Sequence, residues 1–496
     1  MADYYTDDRT PIARPGQLYV EGEWCTPASG ERLELISPSD ESLHACVAAA
    51  GIEDIDRAVA AARRAFDTGP WPRMQPGERA ALLRKMAELL RTRAPHLAAA
   101  WSFQTGVPTT MANYALANPG MLYDYYAALI EAKEFVETRT RDNGGVAIVV
   151  REPVGVVAAI APWNHPSHLM SLKAAPAMAM GCTVIAKAAP ESPLDVFILA
   201  ECAEAAGIPA GVFNIAPAGR DASDHLVRHP GVDKVSFTGS SVTGAHIASI
   251  CGGRMVRSSM ELGGKSAAIV LDDIPMDDVI KTLVPGGGVH MAGQGCAFLT
   301  RVLVSRKRQD ELVSAYADAM QALKVGDAFD PTTQMGPIAM ARQLEKVTGY
   351  IEKGKAEGAR CVTGGRRPAH LSKGYFVEPT LFDNVTNDMA IAREEIFGPV
   401  ISVIAYDDEA EAVALANDSA FGLNGAVYTS DPDKAYAIGR RVRSGNFSHN
   451  GLEHDSKFPF GGYKLSGTGR EGGPFGLDLY TEIKTIYMPQ PPETAA

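Results

Sequence analysis

Gly293-Gln294-Gly295-Cys296 sets a cysteine among glycines, and Met260-Glu261-Leu262-Gly263-Gly264-Lys265 does the same for a carboxylate. Glycine lets backbone approach a ligand closely. A thiolate attacks carbonyl carbon well, and a partly buried carboxylate can activate water. Together they can oxidise an aldehyde through a thioester and then hydrolyse it. Neither residue implies this alone, because a free cysteine is commonly a small buried hydrophobe and a lone glutamate a solvated charge.

The elements that must position this pair follow from periodicity. Residues 53–67 and 77–92 repeat apolar positions at helical spacing. From Gly155 the pattern changes to short apolar runs, Val156–Ile160, Thr183–Ala186, Val212–Ile215 and Val235–Phe237, alternating with helical stretches such as Asp195–Ala206. Such alternation predicts a parallel sheet with helices on both faces. Residues 137–151 differ, with two alternating runs around Asn143-Gly144, a strong hairpin signal. A second α/β region follows Glu261, with a glycine-rich segment from Pro459 to Gly476.

Two further motifs fall at predicted strand ends. In Lys234–Gly244, KVSFTGSSVTG, a strand leads through Gly239-Ser240 into a helix, offering free N–H groups to a pyrophosphate. Ala161-Pro162-Trp163-Asn164-His165-Pro166 follows the strand Val156–Ile160, and the Asn164 amide could donate to a developing oxyanion. Taken singly, these also fit a tight turn and a turn-capping asparagine.

Composition bounds the rest. The 496 residues are too many for one small core and predict two or three domains. A formal charge of −12 disfavours a nucleic-acid partner. Seven scattered cysteines without a C-x-x-C predict a reducing, cytoplasmic setting and no structural metal. The acidic, polar start is unlike a signal peptide, and apolar runs are interrupted too early to span a membrane.

From about Gln17 to Met488 the chain resembles the aldehyde dehydrogenase superfamily, on seven ordered blocks. These are P-W-N-x-P at 162–166, Lys187 after a strand, F-T-G-S-x-x-x-G at 237–244, E-L-G-G-K at 261–265, G-Q-x-C at 293–296, E-E-I-F-G-P at 394–399 and P-F-G-G-x-K-x-S-G-x-G-R-E at 459–471. The resemblance implies Cys296 as nucleophile, Glu261 as general base, Asn164 with the Cys296 N–H as oxyanion hole, and Lys173 as an aid to proton relay. It implies a cofactor, NAD with NADP possible, held by Trp163, Lys187, Gly219, Gly239, Ser240, Glu395 and Phe397. The implied fold is α/β: a Rossmann-like NAD(P)-binding domain (1–134 and 154–260), an α/β catalytic domain (261–475), and a β-hairpin oligomerisation element (135–153 and 476–496) that makes a homodimer or homotetramer. Apolar Val146, Ile148 and Val149 of the hairpin are expected to need cover.

The sequence departs from the family pattern in three places. Pro190 replaces an acidic residue three positions after Lys187, with Glu191 next to it; this predicts NAD use with some NADP turnover. His165 replaces a common aromatic. Pro285–His290 is small and polar where bulk is frequent. With His165, His290, His454 and Phe460 at tunnel-associated positions and Gly286–Gly288 leaving room, the expected substrate is a bulky aldehyde with polar groups, such as a substituted aromatic one. Two alternatives remain at this stage. A CoA-acylating enzyme is disfavoured by the water-activating Glu261, and a catalytically silent protein on the same fold by the intact Cys296, Glu261 and Asn164.

Overall fold

The computed structural model describes residues 4–114 and 119–492. The outermost residues of the expected domains, 1–3 and 493–496, and the segment 115–118 lie outside them. Two sheets carry the site. In the first, the strands run side by side in the order Gly467–Thr468, Arg257–Glu261, Lys234–Thr238, Val156–Ile160, Thr183–Lys187, Phe213–Ile215. All pairings are parallel except that of Gly467–Thr468. Val156–Ile160, Thr183–Lys187 and Lys234–Thr238 are buried along their whole length. That is why they read as continuous apolar runs rather than as alternation.

The order matters for function. The chain moves outward from Val156–Ile160 to one edge, then returns to place Lys234–Thr238 on its other side. The connections leave the sheet in opposite directions at this point, opening a crevice beyond the carboxyl ends of the two strands. Both strand-end motifs, Pro162–Asn164 and Gly239-Ser240, emerge there. Ser240 caps the helix Ser241–Gly253, its hydroxyl accepting from the Thr243 N–H at 3.3 Å, so the following stretch starts as a helix where the sequence predicts. Gly244 falls inside that helix; a Cβ there would lie 2.4 Å from the Leu262 side chain, so it serves packing and not the turn.

The second sheet runs Arg360–Thr363, Thr380–Asp383, Val400–Tyr406, Leu299–Ser305, Ser266–Val270, Gly425–Tyr428, Ser448–His449. Each sheet has its own apolar core, one built mainly from residues before Leu262 and one from residues 267–438. Leu477 and Tyr480 return to the first core, and Gly467–Thr468 pair into the first sheet, although the sequence groups 467–468 and 477 with other segments.

The expected hairpin is present as Val136–Thr140 against Val146–Pro153, with Thr481–Met488 added as a third antiparallel strand. The expected need for cover is corrected. Val146 and Ile148 are already buried in this chain; the exposed apolar side chains are Val136, Ile483, Ile486 and Tyr487. Side chains alternate across a strand, so Val146 and Ile148 turn inward, Val149 on the opposite face is half-buried, and Val136 with Ile483, Ile486 and Tyr487 of the third strand makes the exposed set. No described helix is long and apolar enough to cross a membrane.

Candidate active site

The two residues 35 apart in sequence meet because their downstream strands pair. Glu261 ends a strand of the first sheet, the link Leu262–Lys265 crosses to the second, and Ser266 pairs with Leu299, three residues after Cys296. The approach is close enough that a Cβ on Gly264 would lie 2.3 Å from the Cys296 carbonyl oxygen. Gly293, at φ +69°, packs against Gly398, where a Cβ would fall 2.0 Å from its oxygen. These glycines hold the loop against its neighbours.

Cys296 is partly exposed on the floor of a cleft of about 150 Å³ that it shares with Asn164, Gly239, Ser240, Glu395 and Phe397. Its thiol is pushed up to about 12 by desolvation, then by the Glu395 and Glu261 carboxylates. Cys296 therefore rests as a thiol, and to act as the expected nucleophile it needs a base. Glu261 is buried, and among the described residues neither of its oxygens has a hydrogen-bond partner. Desolvation and the nearby Glu471 push its carboxyl well above the usual range, while Lys173 and Arg470 oppose the rise. A desolvated carboxylate with both oxygens free is a strong proton acceptor.

Asn164 is buried beside the cysteine loop, its Nδ2 donating to the Gln294 carbonyl at 2.9 Å, and its own carbonyl accepts from Trp101 Nε1 at 2.7 Å. Gln294, buried itself, fixes the loop by donating to the Met291 carbonyl at 3.2 Å and accepting from the Ala339 N–H at 2.9 Å. The donor expected for an oxyanion is thus held next to Cys296. Lys173 lies fully buried on the helix Pro166–Met180, its Nζ 2.5 Å from Glu471 and 2.6 Å from Thr238 Oγ1. Glu471 closes the last sequence block, yet nothing in the sequence singles it out as the partner of Lys173.

On the cofactor side, Glu395 Oε1 accepts from the Gly264 N–H at 2.8 Å, and burial raises its carboxyl. Phe397, at φ +59°, meets Trp163 edge to face at 5.4 Å. Gly239 packs beneath the Phe237 ring, where a Cβ would fall 2.4 Å from the ring edge. Lys346, from the helix Ala341–Ala356, also lines the cleft and has no sequence signal pointing to it. Lys187 ends its strand buried; desolvation brings its ammonium down to about 8, opposed by Glu191. Glu191 is itself bridged to the exposed Arg342. Gly219 starts the helix Arg220–Arg228 with open space at its Cβ position.

On the other side of the cysteine loop, rings form a row. Trp101 and His165 meet at 4.6 Å, His165 and His168 at 6.4 Å, His168 and His454 at 6.2 Å, and His454 and Phe460 at 5.0 Å, all edge to face. Desolvation lowers all three imidazoles: His165, half-buried, is brought down to about 3, the buried His168 goes well below its usual value, and His454, whose side chain still reaches solvent, is also lowered. His168 and Trp101 are absent from the sequence-based site. His290 is not part of the row; its Nδ1 pairs with the Gln334 carbonyl at 2.9 Å. The expected space at Gly286–Gly288 is also corrected. A Cβ at Gly288 would lie 2.1 Å from the Phe298 ring and one at Gly287 2.8 Å from Tyr316 Oη. Those glycines admit neighbouring side chains, leaving no room for a ligand.

Away from the cleft, Asp56, His225 and His229 converge. The Gly231 N–H donates to His229 Nδ1 at 3.0 Å, which puts the ring proton on Nε2, facing Asp56 at 3.4 Å. A metal ligand needs that lone pair free, so this cluster is satisfied by hydrogen bonds.

The family model described as "Aldehyde dehydrogenase family" matches residues 24–486. A geranial dehydrogenase of Castellaniella defragrans is 45% identical over 472 residues, 95% of this chain and 98% of that protein. A 3-succinoylsemialdehyde-pyridine dehydrogenase of a Pseudomonas species is 37% identical over 95% of this chain and 98% of that protein. The crystal structure of a Mycobacterium tuberculosis aldehyde dehydrogenase complexed with NAD+ superposes with a TM-score of 0.93 at 41% identity, covering 96% of this chain and 98% of that one. On the family match and these relatives, with the thiol and carboxylate brought together as described, the chain belongs to the aldehyde dehydrogenase family and is an aldehyde-oxidising enzyme.

Proposed function

We propose that this enzyme converts a bulky, unsaturated or aromatic aldehyde to its carboxylic acid with NAD, through a thioester on Cys296 hydrolysed by Glu261. The observation that carries the reading is the buried Glu261 with two unpartnered oxygens, close enough for its charge to be felt at the Cys296 thiol. Glu261 takes the thiol proton, and the thiolate sulfur bonds to the carbonyl carbon. The oxyanion is met by the Asn164 amide and the Cys296 N–H. A nicotinamide held in the cleft would supply the hydride acceptor that lets the oxyanion collapse to the thioester. Glu261 passes that proton to solvent, then removes one from water, whose oxygen bonds to the thioester carbon as the C–S bond breaks; the acid is released and the leaving sulfur takes up a proton. A base with free oxygens suits a water acceptor better than a thiol one, which favours this reading over CoA acylation.

The residues present fit the cofactor. The N-terminus of the helix Ser241–Gly253 offers N–H groups to a pyrophosphate, while the Gly239 N–H is taken by the Glu261 carbonyl at 3.0 Å; Glu395 and Phe397 would flank the nicotinamide ribose, and Lys187 would face the adenosine ribose. Pro190 leaves no carboxylate at its position, and Arg342 neutralises Glu191, which supports some NADP use beside NAD. The neutral imidazoles and two aromatic rings of the row favour a flat, polarisable substrate body. The printed names of the two relatives, geranial and a pyridine-bearing semialdehyde, agree with such a body.

Exposed Ile483, Ile486 and Tyr487 on the third strand support a dimer or a tetramer of dimers. Light scattering should give a multiple of 52.7 kDa. All seven cysteines are unpaired, which suits the reducing cytoplasm. The central test is Glu261→Gln. It should accumulate acyl-enzyme, seen by intact mass as an adduct on Cys296; normal turnover in that variant would overturn the hydrolytic role.

A further inference from the structure

The two strands that carry Thr238 and Glu261 have a second polar feature. Lys234–Thr238 and Arg257–Glu261 pair in parallel with Ser236 opposite Ser259 and Thr238 opposite Glu261. Alternate residues share a face, so Lys234, Ser236 and Thr238 line up beside Arg257, Ser259 and Glu261. Ser236, Thr238, Ser259 and Glu261 are all buried. A polar ladder therefore runs inside the protein from the base Glu261 toward the far end of the sheet. Burying such groups is costly unless each is satisfied.

Here the partners form a directed chain. Tyr480 Oη donates to Ser236 Oγ at 3.2 Å, and Ser236 Oγ reaches Glu471 Oε1 at 3.3 Å. Ser259 Oγ joins Ser236 Oγ at 3.2 Å. The same Glu471 oxygen is 2.5 Å from Lys173 Nζ. Tyr480 is fully buried and its ring faces Lys234 Nζ at 5.3 Å. Each hydroxyl passes its hydrogen bond toward Glu471, and Glu471 is the nearest like charge acting on Glu261.

We propose that Ser236 and Tyr480 are positioning residues for thioester hydrolysis, holding Glu471 against Lys173 and so fixing the charge that Glu261 meets as it activates water. The inference rests on Glu261 as the hydrolytic base. The charged and titratable groups facing Glu261 are Glu471, Lys173, Arg470 and the Cys296 thiol; Lys234, Tyr126 and Cys182 face Tyr480. Without its hydroxyl donor, Glu471 is held less firmly, and its like charge bears less on Glu261. Glu261 then remains a base further into acid, but in a less well-ordered site.

The test separates hydride transfer from hydrolysis. Ser236→Ala and Tyr480→Phe would be compared with wild type in two measurements: the pre-steady-state burst of NADH, and the decay of the Cys296 acyl adduct followed by quenching and intact mass from acid to alkaline pH. The expected result is adduct decay slowed about tenfold, as for loss of a hydrogen bond to a charged group, an acid limb of decay moved to lower pH, and a burst rate lowered less than the decay. Ser236→Thr, which keeps the hydroxyl, should restore both rate and limb. An unmoved or upward-moved limb, or equal losses in burst and decay, would overturn the inference, since a general packing defect predicts those. Glu261→Gln run alongside keeps the two readings apart: slowed decay there with normal decay in Ser236→Ala and Tyr480→Phe overturns the positioning role alone, whereas normal decay in Glu261→Gln overturns the base.

Discussion

The two sides of Cys296 are built in different ways. The cofactor side is made of glycines, strand ends and a helix start: Gly239 and Ser240 at the switch point of the first sheet, and Gly263 under Glu395. The ring row, which we propose as the aldehyde side, is made of side chains from separate elements, Trp101 from one helix, His165 and His168 at the start of another, and His454 and Phe460 from a loop nearly 300 residues later. A backbone cradle tolerates little change, because a Cβ at Gly239 or Gly263 would strike a neighbouring side chain. A wall of side chains can be rewritten one ring at a time. The first arrangement suits a ligand common to many enzymes, the second a substrate particular to one.

The sharpest test of the boundary between these sides is removal of the atom they share. Cys296→Ala should lower aldehyde oxidation by at least about 10³-fold, measured as NADH formation, with NAD affinity by fluorescence titration near that of wild type. Substantial residual turnover would place the nucleophile elsewhere and dissolve the comparison, because the cleft would no longer meet the ring row at a reacting atom.

A single methyl on the cofactor side comes next. In Gly263→Ala the new Cβ would lie 2.3 Å from Glu395 Oε2, so the carboxylate must leave its place over the Gly264 N–H. The KM for NAD should rise about tenfold, the loss of a charge-assisted hydrogen bond or two, while relative kcat/KM values across an aldehyde panel stay fixed. If the aldehyde ranking changes as much as the cofactor KM, the two sides are not separable.

This contrast also explains what the sequence could and could not reveal. Gly293–Cys296, Glu261–Lys265 and the strand-end motifs are contiguous, so their function is written in neighbouring letters. Continuous apolar runs announced the parallel strands because those strands are buried on both faces. Glu471 and Lys346 carried no such signal, since each reaches its site from an element chosen by the three-dimensional packing. His168 was hidden for the same reason; three residues along a helix from His165, it joins the row only once the helix start is in place. Gly286–Gly288 misled because glycine can mean open space or close approach, and only the position of Phe298 decides between them. The hairpin was legible in its turn at Asn143-Gly144 but not in its exposed face, which a strand near the far end of the chain supplies.

The aldehyde side should respond to smaller chemical edits and only in its substrate preferences. His168 is buried, and no hydrogen bond to its ring nitrogens is found among the described residues, whereas His165 Nε2 is already against Met291 Sδ at 3.1 Å. His168→Phe should therefore erase most of a preference for hydroxylated benzaldehydes over hexanal, and His165→Phe less of it. A tenfold preference corresponds to about 1.4 kcal/mol, within reach of one hydrogen bond. Hexanal preferred by wild type, with ratios unchanged in both variants, would mean that the ring row is packing alone.

The smallest effect belongs to the adenosine end, where the cofactor side departs from pure backbone construction. Lys187 is buried beside Glu191, and Glu191 is bridged to Arg342, whose side chain is 68% exposed. An exposed arginine can exchange that carboxylate for a 2′-phosphate without rearranging the sheet. Arg342→Ala should lower kcat/KM for NADP about three- to fivefold, the scale of one exposed ion pair, and change the NAD value little or raise the discrimination against NADP by freeing the Glu191 charge. High salt should shrink the difference, because exposed pairs are screened. Equal losses with NAD and NADP would mean that Arg342 only braces Glu191, and undetectable NADP turnover in wild type would assign Glu191 the acidic contact that Pro190 lacks.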